Sequence, residues 1–323
     1  MTMIGTRVRG KTNRRKRRAT SASRSPNSDR RWAIRKSGRV SVLQSAALSK
    51  QKWLAHGFST RAGGASSLPA WASSRKSPAV LNLGFSDWDA RASVEKNRLR
   101  FAKALGAAGM KMVPLRQFHS DLIHVIDSAP GGPLRGDALI TRTPKLLLAV
   151  QTADCIPILL ADPENLVVAA IHAGWRGTLK RIAEKTVGRM RMLFSSRPES
   201  IIAALGPGIG RCCYEVGPEV VKEFASQFDA ARDWFDGPYD ALVSGEDPNP
   251  LPWLSMVPPG HQPPEPRAQL DLHAANRAIL EGAGVLAKNI DASSFCTSCR
   301  TDLFFSYRRE KITGRQMAAI GIL

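Results

Sequence analysis

Three apolar runs at the centre of the chain give its clearest structural signal. Residues 146–150 and 156–160 form two of them, and residues 166–171 form a third that ends at His172. Short apolar runs bounded by turn-forming residues are typical of strands that are buried on both faces. We therefore expect three buried strands, with Cys155 and His172 beside strand ends.

Helical spacing takes over after Gly177. Apolar residues there recur every three or four positions up to residue 194, and Thr178 is a suitable N-cap. Two more helices are predicted, over 90–107 with a glycine near the end and over 273–283 with Gly284 as the stop signal. Further strands are predicted at 113–118, 121–126, 201–205, 303–308 and 316–323.

Composition separates a tail and an insertion from the rest of the chain. Residues 1–40 contain 14 of the 47 Lys and Arg residues and one acidic residue. Such a segment cannot bury enough apolar surface to offset its ordering entropy, so we expect it to be disordered. We predict a basic extension over residues 1–52 and a single domain over 53–323. Within the domain, 59–78 is expected to be a loop, and clustered prolines mark a loop-rich insertion at about 229–268.

The tail and the cysteines bear on partners and location. The basic run at 14–18 could contact RNA or an anionic surface, serve as an organelle transit peptide, follow from a misassigned start codon, or have no function. The rest of the chain is only mildly basic, so a nucleic-acid partner is expected only through the tail. Five cysteines, an odd number, indicate a reducing compartment, and we expect a cytoplasmic protein. No run approaches the roughly 18 apolar residues of a membrane span, so no membrane partner is expected.

His119, Cys155 and His172 are the candidates for chemistry. Imidazole and thiolate are preferred ligands of zinc and copper, and three protein ligands leave a tetrahedral zinc one position for water or substrate. Their spacing matches no short metal motif, so a core histidine, an inert thiol and a capping histidine are an equally open interpretation. A third alternative is a Cys155 nucleophile served by either histidine, with Asp154 as the orienting carboxylate.

Three arginines are candidates for binding phosphate, because the guanidinium group offers phosphate a planar fork of donors. Arg61 lies in a glycine-rich segment, Arg176 precedes a predicted helix, and Arg308 follows a predicted strand. Taken singly, each could equally be a surface charge. The CxxC pair at 296–299 is interpreted as local redox chemistry or coincidence, and the adjacent pair at 212–213 as core packing.

Many short motifs along residues 53–323 resemble one protein family. In chain order they are TRAGG (60–64), LNLGF (81–85), QFHS (117–120), GDALIT (136–141), TADCIPILL (152–160), IHAGWRGT (171–178), ALGPGIGRCCYEVG (204–217), LDLHAANR (270–277) and FFSYRRE (304–310). They resemble the YfiH family, also called the polyphenol oxidase or laccase-domain family, which is associated with purine nucleoside phosphorylase activity. The basic tail, the insertion and Cys299 depart from the family pattern.

The resemblance implies a fold, a metal and a substrate class. The implied fold is α+β, a single-domain four-layer α/β/β/α sandwich with mixed sheets. His119, Cys155 and His172 would bind zinc, with copper as the alternative metal. The implied reactions are phosphorolysis of adenosine, inosine and methylthioadenosine, with purine nucleoside and phosphate as partners, and deamination of adenosine. Asp154 is then a catalytic candidate that carries protons.

Three other functions remain open at this point. A copper-dependent polyphenol oxidase of the multicopper type needs more histidine ligands than the six in this chain. A cysteine hydrolase that uses Cys155 would keep its activity in a chelator. A basic-tailed binding protein would use the domain only as a scaffold, and the intact ligand set argues against that role. The sequence gives no indication of oligomeric state.

Overall fold

Two mixed sheets packed face to face form the centre of the structure, a computed structural model that describes residues 31–69, 79–245 and 266–323. The larger sheet consists, in spatial order, of β1 (Trp32–Ser37), β2 (Val40–Ser45), β3 (Leu54–Ser59), β17 (Gln316–Ile322), β9 (Leu146–Thr152), β5 (Lys111–Arg116) and β7 (Leu134–Arg135). The second consists of β16 (Ile290–Ala292), β12 (Ile202–Leu205), β10 (Ile156–Asp162), β11 (Val167–Ala173), β8 (Ala138–Thr141) and β6 (Ile123–Val125).

Smaller elements and helices cover the sheets. A small third sheet contains β13 (Glu215–Val216), β15 (Ala268–Leu270) and β14 (Phe235–Asp236), and β4 (Ala62–Ser66) lies outside the three sheets. The helices are α1 (Ala46–Ser49), α2 (Arg91–Ala104), α3 (Trp175–Leu179), α4 (Ile182–Phe194), α5 (Pro218–Gln227), α6 (Tyr239–Ser244), α7 (Leu272–Gly282) and α8 (Tyr307–Glu310). None of the helices in the described ranges combines the length and apolar composition that crossing a membrane requires.

Alternation of side chains along the central strands explains the layers. In β9, Leu148 and Val150 pack between the two sheets, whereas Leu147 and Ala149 pack on the other face with Phe101 of α2. Strand β10 behaves in the same way, with alternate residues facing the first sheet or the layer formed by α4, α5 and α7. Because successive strand residues point to opposite faces, a strand covered on both sides must be apolar throughout. The predicted α/β/β/α sandwich and its central strands are confirmed.

The larger sheet also includes residues of the predicted N-terminal extension. Strands β1 and β2 precede the boundary expected at Trp53, and β2 pairs with β3 through Val42 and Leu43. Both side chains are about 1% exposed, so they belong to the core. Basic residues occur in this stretch because β1 is an edge strand whose positions are mostly exposed and tolerate charge. Residues 1–30 of the predicted tail lie outside the described residues.

The proline-rich insertion also has a folded part. Trp234, Phe235 and Leu242 are buried and join the core against Phe224 of α5. Within the predicted loop-rich insertion, residues 229–245 are therefore anchored to the core of the domain by aromatic side chains. Residues 246–265 lie outside the described part of the chain.

Two local predictions differ from the structure near the site. Thr178 does not cap a helix: it lies buried inside α3, where its hydroxyl accepts a hydrogen bond from Asn276 at 2.8 Å. The strand expected at 303–308 is a turn that leads into α8, because the Ser306 hydroxyl accepts from the Arg309 amide at 3.2 Å and caps that helix. The predicted helices at 90–107 and 273–283 are confirmed as α2 and α7.

Candidate metal and nucleoside site

The two sheets bring His119, Cys155 and His172 together at one end of their strands. Cys155 directly precedes β10, and His172 lies near the end of β11, which pairs with β10 in antiparallel register with Pro157 opposite His172. His119 follows β5, whose parallel partner β9 leads toward Cys155. Strand pairing therefore brings together three residues that are too far apart in the sequence for a short motif to link them.

The three side chains present their ligand atoms to one point. Their nitrogen and sulfur atoms all lie within 4.8 Å of one another, and the Cys155 Sγ lies 3.8 Å from the His119 Nε2. The rings of the two histidines stand edge to face, with centroids 5.0 Å apart. Zinc bonds of about 2.0–2.3 Å to nitrogen and sulfur, in tetrahedral directions, call for separations close to these. The arrangement fits a metal ion that keeps a fourth position open.

Asp137 is the residue that sequence reasoning missed. It is fully buried, and its Oδ1 lies 2.8 Å from the His172 Nδ1. That contact leaves the His172 Nε2 for the metal, and a carboxylate behind a metal-binding histidine fixes the ring orientation and raises its basicity. The same carboxylate accepts the backbone N–H groups of His119 and Ser120, at 3.1 and 2.7 Å. One buried charge thus positions two of the three ligands, and the GDALIT motif was the signal for it.

A pair of glutamines holds the His119 segment in place. The Gln117 Nε2 donates to the Gln151 carbonyl at 2.7 Å, and its Oε1 accepts from the Gln151 amide at 2.8 Å. The side chain thereby extends the pairing of β5 and β9 beyond Arg116. His119 then takes a left-handed backbone conformation with φ of 63°, which is uncommon for a residue with a Cβ and turns its ring into the site.

Gly174 is required by close approach and not by backbone strain. A Cβ at this position would lie 2.8 Å from the Cys155 Sγ and 3.0 Å from the His119 Cδ2. Its φ of −78° suits any residue. The glycine in HAGWRG therefore leaves room for the ligands themselves.

The protonation states of Cys155, His172 and Asp137 depend strongly on one another. Burial opposes ionisation of Cys155, yet the His172 imidazolium and a hydrogen bond from His119 lower the thiol pKa to about 6. Burial likewise disfavours charge on His172, and the Cys155 thiolate and Asp137 overcome it and raise the pKa to about 9. Hydrogen bonds from His172 and Ser120 outweigh the burial of Asp137 and lower its pKa to about 2. The site therefore favours a thiolate, which is the form that binds a metal.

Asp154 lies at the cleft, but both of its oxygens have partners. Oδ1 accepts from the Thr297 hydroxyl at 2.7 Å, and Oδ2 accepts from the Arg308 amide at 2.6 Å. Its φ of 98° is strained for a non-glycine residue, and its carbonyl accepts from the Ile209 amide at 2.7 Å. These contacts orient the turn that carries Cys155 and tie it to two other segments.

The three predicted phosphate ligands occupy different environments. Arg61 is mostly buried away from the cleft lining, where its Nη1 donates to the Thr301 carbonyl at 2.6 Å and pairs with Glu310 at 2.8 Å. Arg176 stacks on Trp175 at 4.3 Å and does not line the cleft. Arg308 does line it, and its Nη1 donates to the Glu215 carbonyl at 2.8 Å. The phosphate-binding roles of all three arginines stay predictions, and the Arg61 guanidinium is already paired within the fold.

The metal ligands lie at the wall of a cleft of about 1300 Å³ with a cationic lining. Among its residues, Arg98 and Arg315 are half-buried yet have no carboxylate within 4.0 Å in the described ranges. Burial lowers the pKa of Arg98 to about 10 and lowers that of Arg315, whose charge is partly supported by Cys155 and Asp154. Arg98 donates to the Leu83 carbonyl, and Arg315 donates to the Gly314 carbonyl, so neither charge is neutralised by these contacts. A half-buried cation without an anionic partner is costly unless an anion binds beside it. Neither arginine was identified from the sequence.

Aromatic side chains form the remaining wall of the cleft. Its lining includes Phe85, Trp175, Tyr214 and Tyr307. Phe85 is 48% exposed and Tyr307 55%, so apolar ring surface faces solvent inside a cationic cleft. Exposed aromatic rings in a cleft are suited to stacking on a planar base.

Comparisons with known proteins place this chain in a family. Residues 55–323 match the family described as multi-copper polyphenol oxidoreductase laccase. A purine nucleoside phosphorylase of Deinococcus radiodurans is 44% identical over 268 residues, which cover 83% of this chain and 88% of that protein. The adenosine deaminase RL5, from an unknown prokaryotic organism, is 37% identical over 69% of this chain and 79% of its own length. The crystal structure of the YfiH protein of Bacillus licheniformis superposes with a TM-score of 0.72 at 30% identity, covering 90% of this chain and 99% of that one.

Proposed function

Because this chain belongs to the YfiH family of laccase-domain proteins, we propose that it is a metal-dependent enzyme that cleaves purine nucleosides with phosphate. The observation that carries the proposal is the convergence of His119, Cys155 and His172 at the wall of a cleft whose lining is rich in cations. The expected substrates are adenosine, inosine and methylthioadenosine. Deamination of adenosine is proposed as an additional activity, which the similarity to a deaminase supports.

Zinc is the proposed metal. Two imidazoles and a thiolate suit it, and the Asp137 contact to His172 is typical of zinc sites. When bound, the ion would act as a Lewis acid, with one coordination position left for water or substrate. The same His₂Cys set is also found around copper, so copper remains the alternative metal.

Phosphate is proposed to bind between Arg315 and Arg98, with Arg308 nearby at the same cleft. The first two are half-buried and have no carboxylate within 4.0 Å in the described ranges, and Arg315 is close enough to Cys155 for the thiolate charge to act on it. An anion held there lies beside the metal ligands. In phosphorolysis a phosphate oxygen bonds to the ribose C1′ while the bond from C1′ to the purine nitrogen breaks, and the electron pair leaves with the base.

Asp154 is proposed to carry protons in the reaction and also to position the Arg308 side chain. Its hydrogen bonds to Thr297 and to the Arg308 backbone place the Arg308 side chain at the cleft. The purine is expected to stack on Phe85 or Tyr307, whose rings are exposed in the lining. Each arrangement uses side chains of this chain that are already in place.

A cysteine hydrolase is the second candidate, and the coupling of Cys155 with His172 favours it. Asp137, His172 and Cys155 form a carboxylate–imidazole–thiolate series like that of an activated nucleophile. A chelator separates the two candidates. Activity that survives complete metal removal would assign the chemistry to Cys155 alone.

The test is product analysis with inosine and with adenosine, with and without phosphate. We expect free base from both nucleosides only when phosphate is present, and inosine from adenosine in either case. Arg315→Gln should raise the KM for phosphate by about 10- to 150-fold, because a charge-assisted contact to the anion contributes roughly 1.5–3 kcal/mol. Arg61→Gln is the matched control, since its guanidinium is committed to Glu310 and should leave that KM unchanged. Free base formed equally well without phosphate would contradict the proposal.

A further inference from the structure

Four cysteines outside the catalytic site meet at one edge of the smaller sheet. Strands β12 and β16 are parallel neighbours, so the loops that follow them leave the sheet at the same edge. The first loop carries Cys212 and Cys213, and the second carries Cys296 and Cys299. The sequence suggested core packing for one pair and local redox chemistry or coincidence for the other, because it could not show that the two pairs are neighbours.

The sulfur positions match a closed tetrahedral site. All four Sγ atoms lie within 4.8 Å of one another, and the Cys299 Sγ lies 3.6 Å from that of Cys212 and 3.4 Å from that of Cys213. Four sulfurs at about 2.3 Å from one zinc ion stand about 3.8 Å apart. All four are free thiols, and the two closest separations are far longer than the roughly 2.05 Å of a disulfide.

The backbone around the cluster is arranged to hold sulfur. The Gly210 amide donates to the Cys296 Sγ at 3.2 Å, as it would to a metal-bound thiolate. The Thr297 amide donates to the Gly208 carbonyl at 2.9 Å, which fixes the two loops against each other. Cys296 is buried, while Cys212 and Cys299 are exposed, so an ion can enter from solvent.

We propose that Cys212, Cys213, Cys296 and Cys299 bind a second zinc ion, separate from the catalytic one. Four protein thiolates leave no open coordination position, so the role of this ion is structural. Its loops reach the catalytic cleft, because Tyr214 follows Cys213 and lines the cleft, and the Thr297 hydroxyl holds Asp154. The second zinc ion therefore fixes the segments that position one wall of the cleft.

Metal content of the full-length protein tests the proposal. After purification in zinc and removal of loosely bound ions, we expect two zinc ions per chain in the natural protein and one in Cys299→Ser. Cys155→Ser, the matched control, should also retain one, which identifies the two sites independently of any nucleoside activity. A Cys299→His variant should restore the second ion, because histidine replaces cysteine in closed zinc sites. One zinc ion per chain that is lost entirely in Cys155→Ser would overturn the proposal, as would two ions retained by a folded Cys299→Ala variant.

Thiol titration distinguishes a zinc site from a disulfide within the cluster. In denaturant with chelator and without reductant, the protein should show all five thiols that its sequence contains. Cobalt substitution adds a spectroscopic measure, since a four-thiolate site gives intense sulfur-to-metal charge-transfer absorption. Most of that absorption should persist in Cys155→Ser, and in Cys299→Ser it should fall to the weaker absorption of the single Cys155 thiolate. A count of three thiols, with a disulfide within the cluster, would contradict a zinc site.

Discussion

Replacing Asp137 by asparagine should weaken both the fold and the metal site, although the two side chains have nearly the same shape. Oδ1 accepts hydrogen bonds from the His119 amide and the His172 Nδ1, and Oδ2 accepts from the amides of Phe118 and Ser120 and from the Ser120 hydroxyl. An amide offers only one oxygen. Whichever way it is oriented, its NH₂ group faces at least two N–H donors.

The expected magnitude follows from those contacts. Hydrogen bonds to a charged group contribute roughly 1.5–3 kcal/mol each, so losing two lowers the free energy of unfolding by about 3–6 kcal/mol. The orienting contact to His172 is lost or weakened, and mutation of such a partner typically lowers metal affinity by about 10–100-fold. Asp137 is fully buried, so water cannot replace the lost partners.

Urea unfolding and zinc competition with a chromophoric chelator measure the two effects. Asp162→Asn is the matched control, because Asp162 is equally buried and caps a turn at the far end of β10 through the Glu164 and Asn165 amides. It should lower stability by about 1 kcal/mol and leave zinc affinity unchanged. If Asp137→Asn unfolds within about 0.5 kcal/mol of the natural protein and binds zinc as tightly, the assigned role of this carboxylate is wrong.

Two further perturbations test the packing of the site and of the core. Gly174→Ala should lower zinc affinity at least about tenfold, because its Cβ would lie 2.8 Å from the Cys155 sulfur, whereas Gly188→Ala, in open space on α4, should not. His56 is buried without a partner for its Nε2, and burial lowers its pKa from 6.5 to about 4. Its unfolded form therefore binds a proton first as pH falls. Unfolding free energy should drop by about 2 kcal/mol from pH 6.5 to 5, and less in His56→Gln; equal pH profiles would refute this cause.

The sequence predicted the centre of the fold better than its beginning. Runs such as 156–160 identify strands covered on both faces, since few other environments require every residue to be apolar. β1 carries charges on an exposed edge and pairs with β2 across a two-residue turn at Gly38 and Arg39, a short hairpin within a stretch whose basic composition resembles that of the tail. Residues 303–308 look like a strand, but capping by Ser306 decides their conformation.

The candidate site likewise depends on tertiary contacts that the sequence does not reveal. The three metal ligands could be named from motifs, but Asp137 gains its role only when β8 and β11 place it behind His172. Arg98 and Arg315 are ordinary charges in the sequence and become significant because the fold places them in the cleft lining without a carboxylate partner. Arg61 shows the reverse. Its glycine-rich context makes it conspicuous in the sequence, but in the structure its guanidinium pairs with Glu310.

Zinc add-back to metal-free protein is the most direct test of the central claim, that a metal held by His119, Cys155 and His172 is needed for phosphate-dependent cleavage. Hypoxanthine release from inosine, in phosphate, is measured as zinc is added to protein stripped by a chelator. We expect no release without metal, a rise in proportion to occupancy of this site, and no recovery in Cys155→Ser. Full activity of the stripped protein, or no product from protein that carries zinc at this site, would contradict the account.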